Sequence, residues 1–144
     1  MGADEAALDA WWAQRTAAAL APLLAAVRAR APFGLRNLWG SVADEVTGTA
    51  IRVAQLAGRD AEAAWARAQR LFDALAPHAP VTPARGTPCP VRHPGGRQLF
   101  QVRGTCSLYY RSMVETYCDT CPLRDDDSRQ RRLRAYLIES QAAA

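Results

Sequence analysis

The sequence predicts a mainly α-helical chain in which a helical body is followed by a proline-rich loop, a short strand, a cysteine-rich loop and a C-terminal helix. Two observations predict this order. Apolar residues recur at helical spacing through residues 1–76, and six of the nine prolines fall within residues 77–96. The chain has 144 residues, enough to bury a core without disulfide bonds. We therefore expect one domain over residues 1–144.

The helical body, residues 1–76, is predicted to contain three helical segments. Pro22 interrupts the first segment and is expected to kink or restart it. The second segment follows the breaker APFG at residues 31–34 and is expected to end at Gly58, a residue type common just after helices. Asp60 is then suited to cap the third segment, because its carboxylate can accept hydrogen bonds from the first free N–H groups.

The remaining chain divides into three parts. Residues 77–96 are so rich in proline and glycine that we expect a wrapping loop without regular structure. Residues 97–124 form a cysteine-rich segment that opens with RQLFQVRG, whose alternation of polar and apolar residues predicts a short strand. Residues 125–144 begin with three aspartates, which favour the positive end of a C-terminal helix.

The compartment is predicted from what the sequence lacks. The start, MGADEAALDAWWAQ, is acidic and has neither the basic region nor the uninterrupted apolar region of a secretory signal. No stretch approaches the eighteen or so apolar residues that a membrane span needs. We therefore expect a soluble, cytoplasmic protein without a membrane span. Thiols stay reduced in the cytoplasm, so the four cysteines are expected to be metal ligands or redox groups.

The net charge of +4 is concentrated in one part of the chain. The positive surplus lies within residues 81–124, which also contain every cysteine. The charged residues of this segment are Arg85, Arg92, Arg97, Arg103, Arg111 and Arg124, against Glu115 and Asp119. A basic surround would stabilise the deprotonated, metal-binding form of the thiols. A solvated basic surface is the alternative interpretation.

The cysteines are Cys89, Cys106, Cys118 and Cys121, separated by 16, 11 and 2 residues. Two thiols at Cys-x2-Cys spacing can chelate one metal, and zinc accepts them as readily as iron. A structural zinc site usually has two such pairs, and Cys89 and Cys106 form none. Spacing alone leaves an iron–sulfur cluster, a zinc site and unrelated reduced cysteines open.

The stretch RGTCSLYYRSMVETYCDTCPLR, preceded by LRNLWGSVADEV in the helical part, resembles the C-terminal half of the bacterial ferric siderophore reductases (FhuF-like). Their signature is two adjacent cysteines, ten residues, then Cys-x2-Cys followed by Pro-Leu, and it binds a [2Fe–2S] cluster. Cys106 matches the first cysteine, and Cys118 and Cys121 match the third and fourth. Position 107 is serine where the family has cysteine. The resemblance covers about residues 33–135.

The resemblance implies that Cys106, Cys118 and Cys121 hold a [2Fe–2S] cluster. We expect Cys89 to supply the fourth ligand, because a thiolate is a far better ligand than a serine hydroxyl and Cys89 has no other evident task. Prolines on both sides of Cys89 stiffen its surroundings, and Gly95 and Gly96 allow the chain to turn back. The alternatives for the fourth ligand are Ser107 and His93.

The resemblance also implies a function. A ferric siderophore holds Fe(III) with hard oxygen donors, and the addition of one electron gives Fe(II), which those donors bind far less tightly. The implied activity is therefore reduction of a cytoplasmic ferric siderophore, with no catalytic group beyond the cluster and with an electron donor that the sequence does not identify. One alternative is a non-enzymatic, zinc-stabilised module that binds an acidic partner or nucleic acid. Another is an electron-transfer paralogue without reductase activity. For the reductase itself, no nucleic-acid partner is expected.

Overall fold

A computed structural model describes residues 3–111 and 116–142 of the chain. The elements are α1 (Ala3–Arg28), α2 (Leu35–Leu56), α3 (Ala61–Leu75), β1 (Thr87–His93), β2 (Gly96–Val102) and α4 (Asp126–Ala142). The mainly helical fold and the C-terminal helix are confirmed. Residues 112–115, including Glu115 of the predicted cysteine-rich segment, lie outside the described residues. None of the helices in the described part of the chain is long and apolar enough to cross a bilayer.

Helices α1, α2 and α3 pack around a core whose largest fully buried side chains are Trp39, Phe72 and Leu75. The edge of the Trp12 ring meets Phe72 at a centroid distance of 6.0 Å, which is a favourable aromatic geometry. Near the start of α1, Asp9 pairs with Arg67 of α3. Apolar burial in the middle and this ion pair near one end therefore fix α1 against α3.

The ends of the helices follow local rules. The Asp60 carboxylate accepts hydrogen bonds from the backbone N–H groups of Glu62 and Ala63 at 2.8 and 3.1 Å, so the predicted cap of α3 is confirmed. Gly58 follows α2 in the left-handed conformation, at φ +63°, as expected of a glycine that ends a helix. Pro22 does not restart a helix, because α1 continues through it as one element.

The prediction that residues 77–96 lack regular structure is wrong for residues 87–93, which form β1 and pair antiparallel with β2. Proline usually opposes a strand because it has no N–H to donate. Pro88 and Pro90 lie two residues apart, so their missing donors fall on the same side of the strand. Among residues 3–111 and 116–142, β1 has a partner strand on one side only, in a two-stranded sheet. Prolines are tolerated on such an edge strand, and the hairpin forms despite them.

The hairpin lies between the helical body and α4. On one face, Cys89 and Val91 pack against Leu133 and Leu137 of α4. On the other face, Gln101 Nε2 donates a hydrogen bond to the Asp44 carbonyl of α2 at 2.9 Å. The hairpin therefore places the end of β2, the start of α4 and the middle of α2 close together, and the cysteine-rich segment runs between them.

Candidate metal centre

The structure brings thiols of the cysteine-rich segment together just before α4. The sulfur atoms of Cys106 and Cys121 are 3.8 Å apart. Two thiolates on one tetrahedral metal, each about 2.3 Å from it, are separated by about 3.8 Å, so this spacing suits a shared metal ion. Cys118 lies one turn away, since the Cys121 N–H donates to the Cys118 carbonyl at 3.1 Å. Three of the four predicted ligands therefore belong to one neighbourhood.

The pKa of the buried Cys121 thiol is raised by its surroundings. Cys121 is only 4% exposed, and burial is the main cause that raises its pKa. The backbone N–H of Leu123 opposes that shift, whereas the hydrogen bond to Cys106 and the charges of Cys106 and Cys118 add to it. A metal ion that binds here would therefore displace a proton from Cys121.

The backbone after Cys106 turns toward its sulfur. The Leu108 N–H donates to Cys106 Sγ at 3.4 Å. Leu108 has φ +58°, in the left-handed region that is unfavourable for a residue with a branched side chain. Such strain is often found at functional sites, and N–H groups aimed at sulfur are one means of tuning metal–thiolate groups. Ser107, between these two residues, is exposed to solvent.

A buried carboxylate holds the loop that leads to Cys106. Asp44 of α2 is 3% exposed and accepts hydrogen bonds from the Gly104 N–H at 2.7 Å, the Thr105 N–H at 3.1 Å and the Thr105 hydroxyl at 2.7 Å. Arg103 Nε lies 3.5 Å from the same carboxylate. These hydrogen-bond donors compensate the buried carboxylate, because a buried charge without partners is costly. Asp44 therefore fixes the direction in which the chain approaches Cys106.

The first two turns of α2 complete this support. Asn37 Nδ2 donates to the Cys106 carbonyl at 3.1 Å, and the hydroxyl groups of Ser41 and Thr105 are 3.4 Å apart. Gly40 has no room for a Cβ, which would overlap the Thr105 methyl group. The stretch LRNLWGSVADEV, which carries part of the resemblance, therefore contacts the cysteine loop directly.

A buried arginine lies beside the thiols. Arg129 of α4 is 3% exposed, and its Nη2 donates to the Cys121 carbonyl at 2.9 Å. Its Nη1 pairs with Asp126, whose side chain is 92% exposed. Its Nε is buried and has no hydrogen-bond partner among residues 3–111 and 116–142. A buried charge with so exposed a counterion is costly, and a negatively charged metal–thiolate group beside it would offset that cost.

Cys89 lies on the other side of Arg129, within β1 rather than in a loop. Burial raises the pKa of its thiol, and the positive charge of Arg129 opposes that shift. Gln130 Nε2 lies 3.6 Å from the Cys89 sulfur. Across the described part of the chain, no group of three or more His, Cys, Asp or Glu side chains is arranged to hold a metal ion as it stands. The four-cysteine ligand set therefore stays a prediction.

The two alternative fourth ligands, His93 and Ser107, lie in different parts of the structure. His93 pairs with Gly96 at the tip of the hairpin, and its Nδ1 accepts a hydrogen bond from the Gly95 N–H at 3.3 Å. Four residues along a strand correspond to about 13 Å, so His93 lies at the far end of β1 from Cys89. Ser107 follows Cys106 and remains close to the other thiols.

Most of the six arginines of residues 81–124 have partners other than the thiols. Arg85, Arg97 and Arg103 pair with Asp73, Glu62 and Asp44 of the helical body. Arg124 donates to the Cys118 carbonyl at 3.0 Å and so shapes the backbone of the loop. Arg129, outside the predicted basic segment, acts with its positive charge on Cys89. Sequence reasoning missed both Arg129 and Asp44. The signal for Asp44 was its place on the face of α2 that carries Gly40, Thr47 and Ile51, all of them partly or fully buried.

Comparison of the chain with protein-family models, with curated proteins and with solved structures finds no match. The resemblance to ferric siderophore reductases therefore depends on the residues quoted above.

Proposed function

We propose that this chain is an iron–sulfur protein that reduces a ferric siderophore in the cytoplasm by one electron and thereby releases Fe(II). The observation that carries the proposal is the grouping of Cys106 and Cys121, 3.8 Å apart, with Cys118 one turn away and the incompletely paired Arg129 buried beside them. Cys106, Cys118, Cys121 and Cys89 are the proposed ligands. A bound [2Fe–2S] cluster supplies the capacity to accept and donate one electron.

The residues around the thiols suit an anionic redox group. Four thiolates and a [2Fe–2S] core carry about two negative charges when oxidised and about three when reduced. Arg129 places a buried positive charge next to them, and the Leu108 N–H is aimed at one sulfur. Both features favour the more negative state, because each interacts more strongly with the added electron. The protein environment would therefore raise the reduction potential.

A polar cleft beside the metal centre is a proposed position for the ferric chelate. The cleft has a volume of about 360 Å³ and lies between α2 and β2. Its lining includes Arg52, Arg103 and Thr120, and Thr120 lies in the turn between Cys118 and Cys121. The carbonyl of Thr120 accepts a hydrogen bond from the Arg103 N–H at 2.9 Å. A chelate bound there would therefore contact the backbone of the cysteine loop.

A zinc-stabilised binding module is the second candidate. The separation of Cys106 and Cys121 favours tetrahedral sulfur coordination, which zinc and iron–sulfur centres share. One zinc ion needs four donors around a single point, whereas a binuclear cluster divides its four thiolates between two irons, so the metal content of the protein separates the two candidates.

Turnover tests the proposal. Protein purified and reduced without oxygen is mixed with a ferric hydroxamate in the presence of a dye that binds only Fe(II). We expect about one Fe(II) per reduced cluster, because each cluster carries one electron. The variant Cys121→Ser is the control for direct reduction by residual reductant. Protein that holds a reducible cluster but yields no Fe(II) from several ferric siderophores would contradict the reductase activity and leave an electron-relay role.

A further inference from the structure

We propose that a basic pocket at the outer edge of the hairpin is the docking site for an acidic one-electron carrier protein, which supplies the electron to the metal centre. The inference rests on the proposed function and identifies the class of its electron donor. The pocket has a volume of about 580 Å³ and is lined by residues of β1, β2 and α4. These residues are Pro90, Arg92, Arg97, Gln130, Arg131 and Arg134.

All the charged residues that line this basic pocket are positive. Four of its six lining residues are arginines, and none is acidic. Arg97 pairs with Glu62 at the rim. Arg92, Arg131 and Arg134 are exposed and make no ion pair with any residue in the described part of the chain. The four guanidinium groups extend over two strands and a helix, which suits the acidic surface of a protein better than one small anion.

The arrangement is unfavourable for the isolated chain. Arg92 and Arg97 are direct cross-strand partners, and like charges in that position repel each other. Arg131 and Arg134 lie three residues apart on α4, where like charges also repel. Glu62 offsets part of the repulsion at Arg97, whereas the repulsion on α4 lowers the stability of the chain. An acidic partner would relieve both, so the charge pattern suits a binding site.

Gln130 links the basic pocket to a proposed ligand. It lines the pocket, and its Nε2 lies 3.2 Å from the Pro90 carbonyl and 3.6 Å from the Cys89 sulfur. Cys89 itself is 5% exposed. A carrier docked here would approach the metal centre from the side of Cys89. The cleft proposed for the chelate shares no lining residue with the basic pocket, so donor and acceptor would occupy different sites.

The edge of β1 also favours docking through side chains. An unpaired strand edge usually attracts another strand, but Pro88 and Pro90 remove two donors from this one. The partner would therefore be recognised by charge. The transfer step moves one electron from the reduced carrier to the oxidised iron–sulfur group, so the carrier is oxidised by one electron and no bond or proton is exchanged.

The experiment uses a reduced plant-type ferredoxin, an acidic one-electron carrier, as the probe. Its oxidation by the purified protein is followed by stopped-flow absorbance without oxygen at about 20 mM and about 200 mM salt, since screening shortens to less than about 10 Å at the higher value. We expect Arg131→Glu/Arg134→Glu to slow the bimolecular reaction roughly tenfold or more at low salt. The control Arg15→Glu/Arg28→Glu, with the same charge change on the exposed side of α1, should stay within about twofold of the unsubstituted protein.

Further measurements separate the outcomes. Reduction by the uncharged 5-deazariboflavin radical should proceed at the same rate in all variants. Equal ferredoxin rates in the pocket variant and its control, with deazaflavin reduction intact, would overturn the docking site and leave the proposed function standing. Protein without an iron–sulfur group overturns both proposals. If the charge-reversed variant does not fold, Arg131→Gln/Arg134→Gln tests the same pocket, with an expected decrease of roughly threefold. Tighter binding of a short DNA duplex than of ferredoxin at equal salt would also overturn the proposal.

Discussion

Substitution of Asp44 by asparagine tests whether this carboxylate holds the loop that leads to Cys106. Asp44→Asn keeps the size of the side chain but replaces one carboxylate oxygen with an NH2 group. The oxygen near Gly104 can remain an acceptor at 2.7 Å. The other oxygen accepts from the Thr105 N–H and the Thr105 hydroxyl, at 3.1 and 2.7 Å. An NH2 group there faces the Thr105 N–H, donor against donor.

The expected loss of stability follows from the hydrogen bonds that the substitution removes. Hydrogen bonds to a charged group contribute about 1.5 kcal/mol or more each, and the substitution removes two of them from a site that is 3% exposed. We therefore expect the free energy of unfolding of Asp44→Asn to fall by about 3 kcal/mol. Because the loop supports Cys106, the variant should also retain less iron after purification.

The assay is urea unfolding of the metal-free protein, followed by circular dichroism, so that cluster loss does not contribute to the measured stability. Glu45→Gln is the matched control, since it makes the same chemical change at an exposed neighbouring position. We expect the control to change stability by less than about 0.5 kcal/mol. A free energy of unfolding for Asp44→Asn within that range of the control would refute the assigned role of Asp44.

Three other substitution experiments test separate parts of the structure. Gly40→Ala should destabilise the protein by about 1–3 kcal/mol in urea unfolding, because the added Cβ would overlap Thr105. The control Gly48→Ala, whose added Cβ would have nothing within 4 Å, should stabilise the protein by about 0.5–1 kcal/mol. Equal effects of the two substitutions would contradict the close packing at Gly40. Cys89→Ala should lose the cluster or shift its visible spectrum strongly, while Ser107→Ala should leave both nearly unchanged, and the reverse pattern would transfer the fourth ligand to Ser107. The Asp9 pKa is lowered, chiefly by the hydrogen bond from Arg67, so its pairing stabilises the fold above the ordinary aspartate pKa of about 3.9 and ceases to do so as the pH falls further. Asp9→Asn should therefore cost about 1 kcal/mol at pH 7 and less at acidic pH, and a cost independent of pH would argue against the pairing.

The elements that the sequence predicted well are those set by local chemistry. The cap at Asp60, the turn at Gly58 and the strand at 97–102 each depend on a residue and its near neighbours along the chain. β1 was missed because its prolines oppose strand formation locally. Its pairing with β2 and its packing against α4 outweigh that preference, and neither is visible in a short window of sequence.

The candidate site also combines features that the local sequence predicts with features that only the fold shows. The cysteine spacing identified the thiols, but only the fold shows that Cys106 and Cys121 approach to 3.8 Å. Asp44 and Arg129 were not predicted, because a charged residue in a sequence is expected to be solvated unless its neighbours in space are known. Both become buried through the hairpin and the start of α4, which pack on the helical body from distant parts of the chain.

The most direct measurement of the central claim is the metal and sulfide content of protein purified without oxygen, together with its visible spectrum. The proposed function predicts about two irons and two acid-labile sulfides per chain, little zinc, and a red-brown absorption that bleaches when dithionite reduces the protein. Colourless protein with one zinc ion per chain and no sulfide would contradict the iron–sulfur assignment and support the zinc-stabilised module instead.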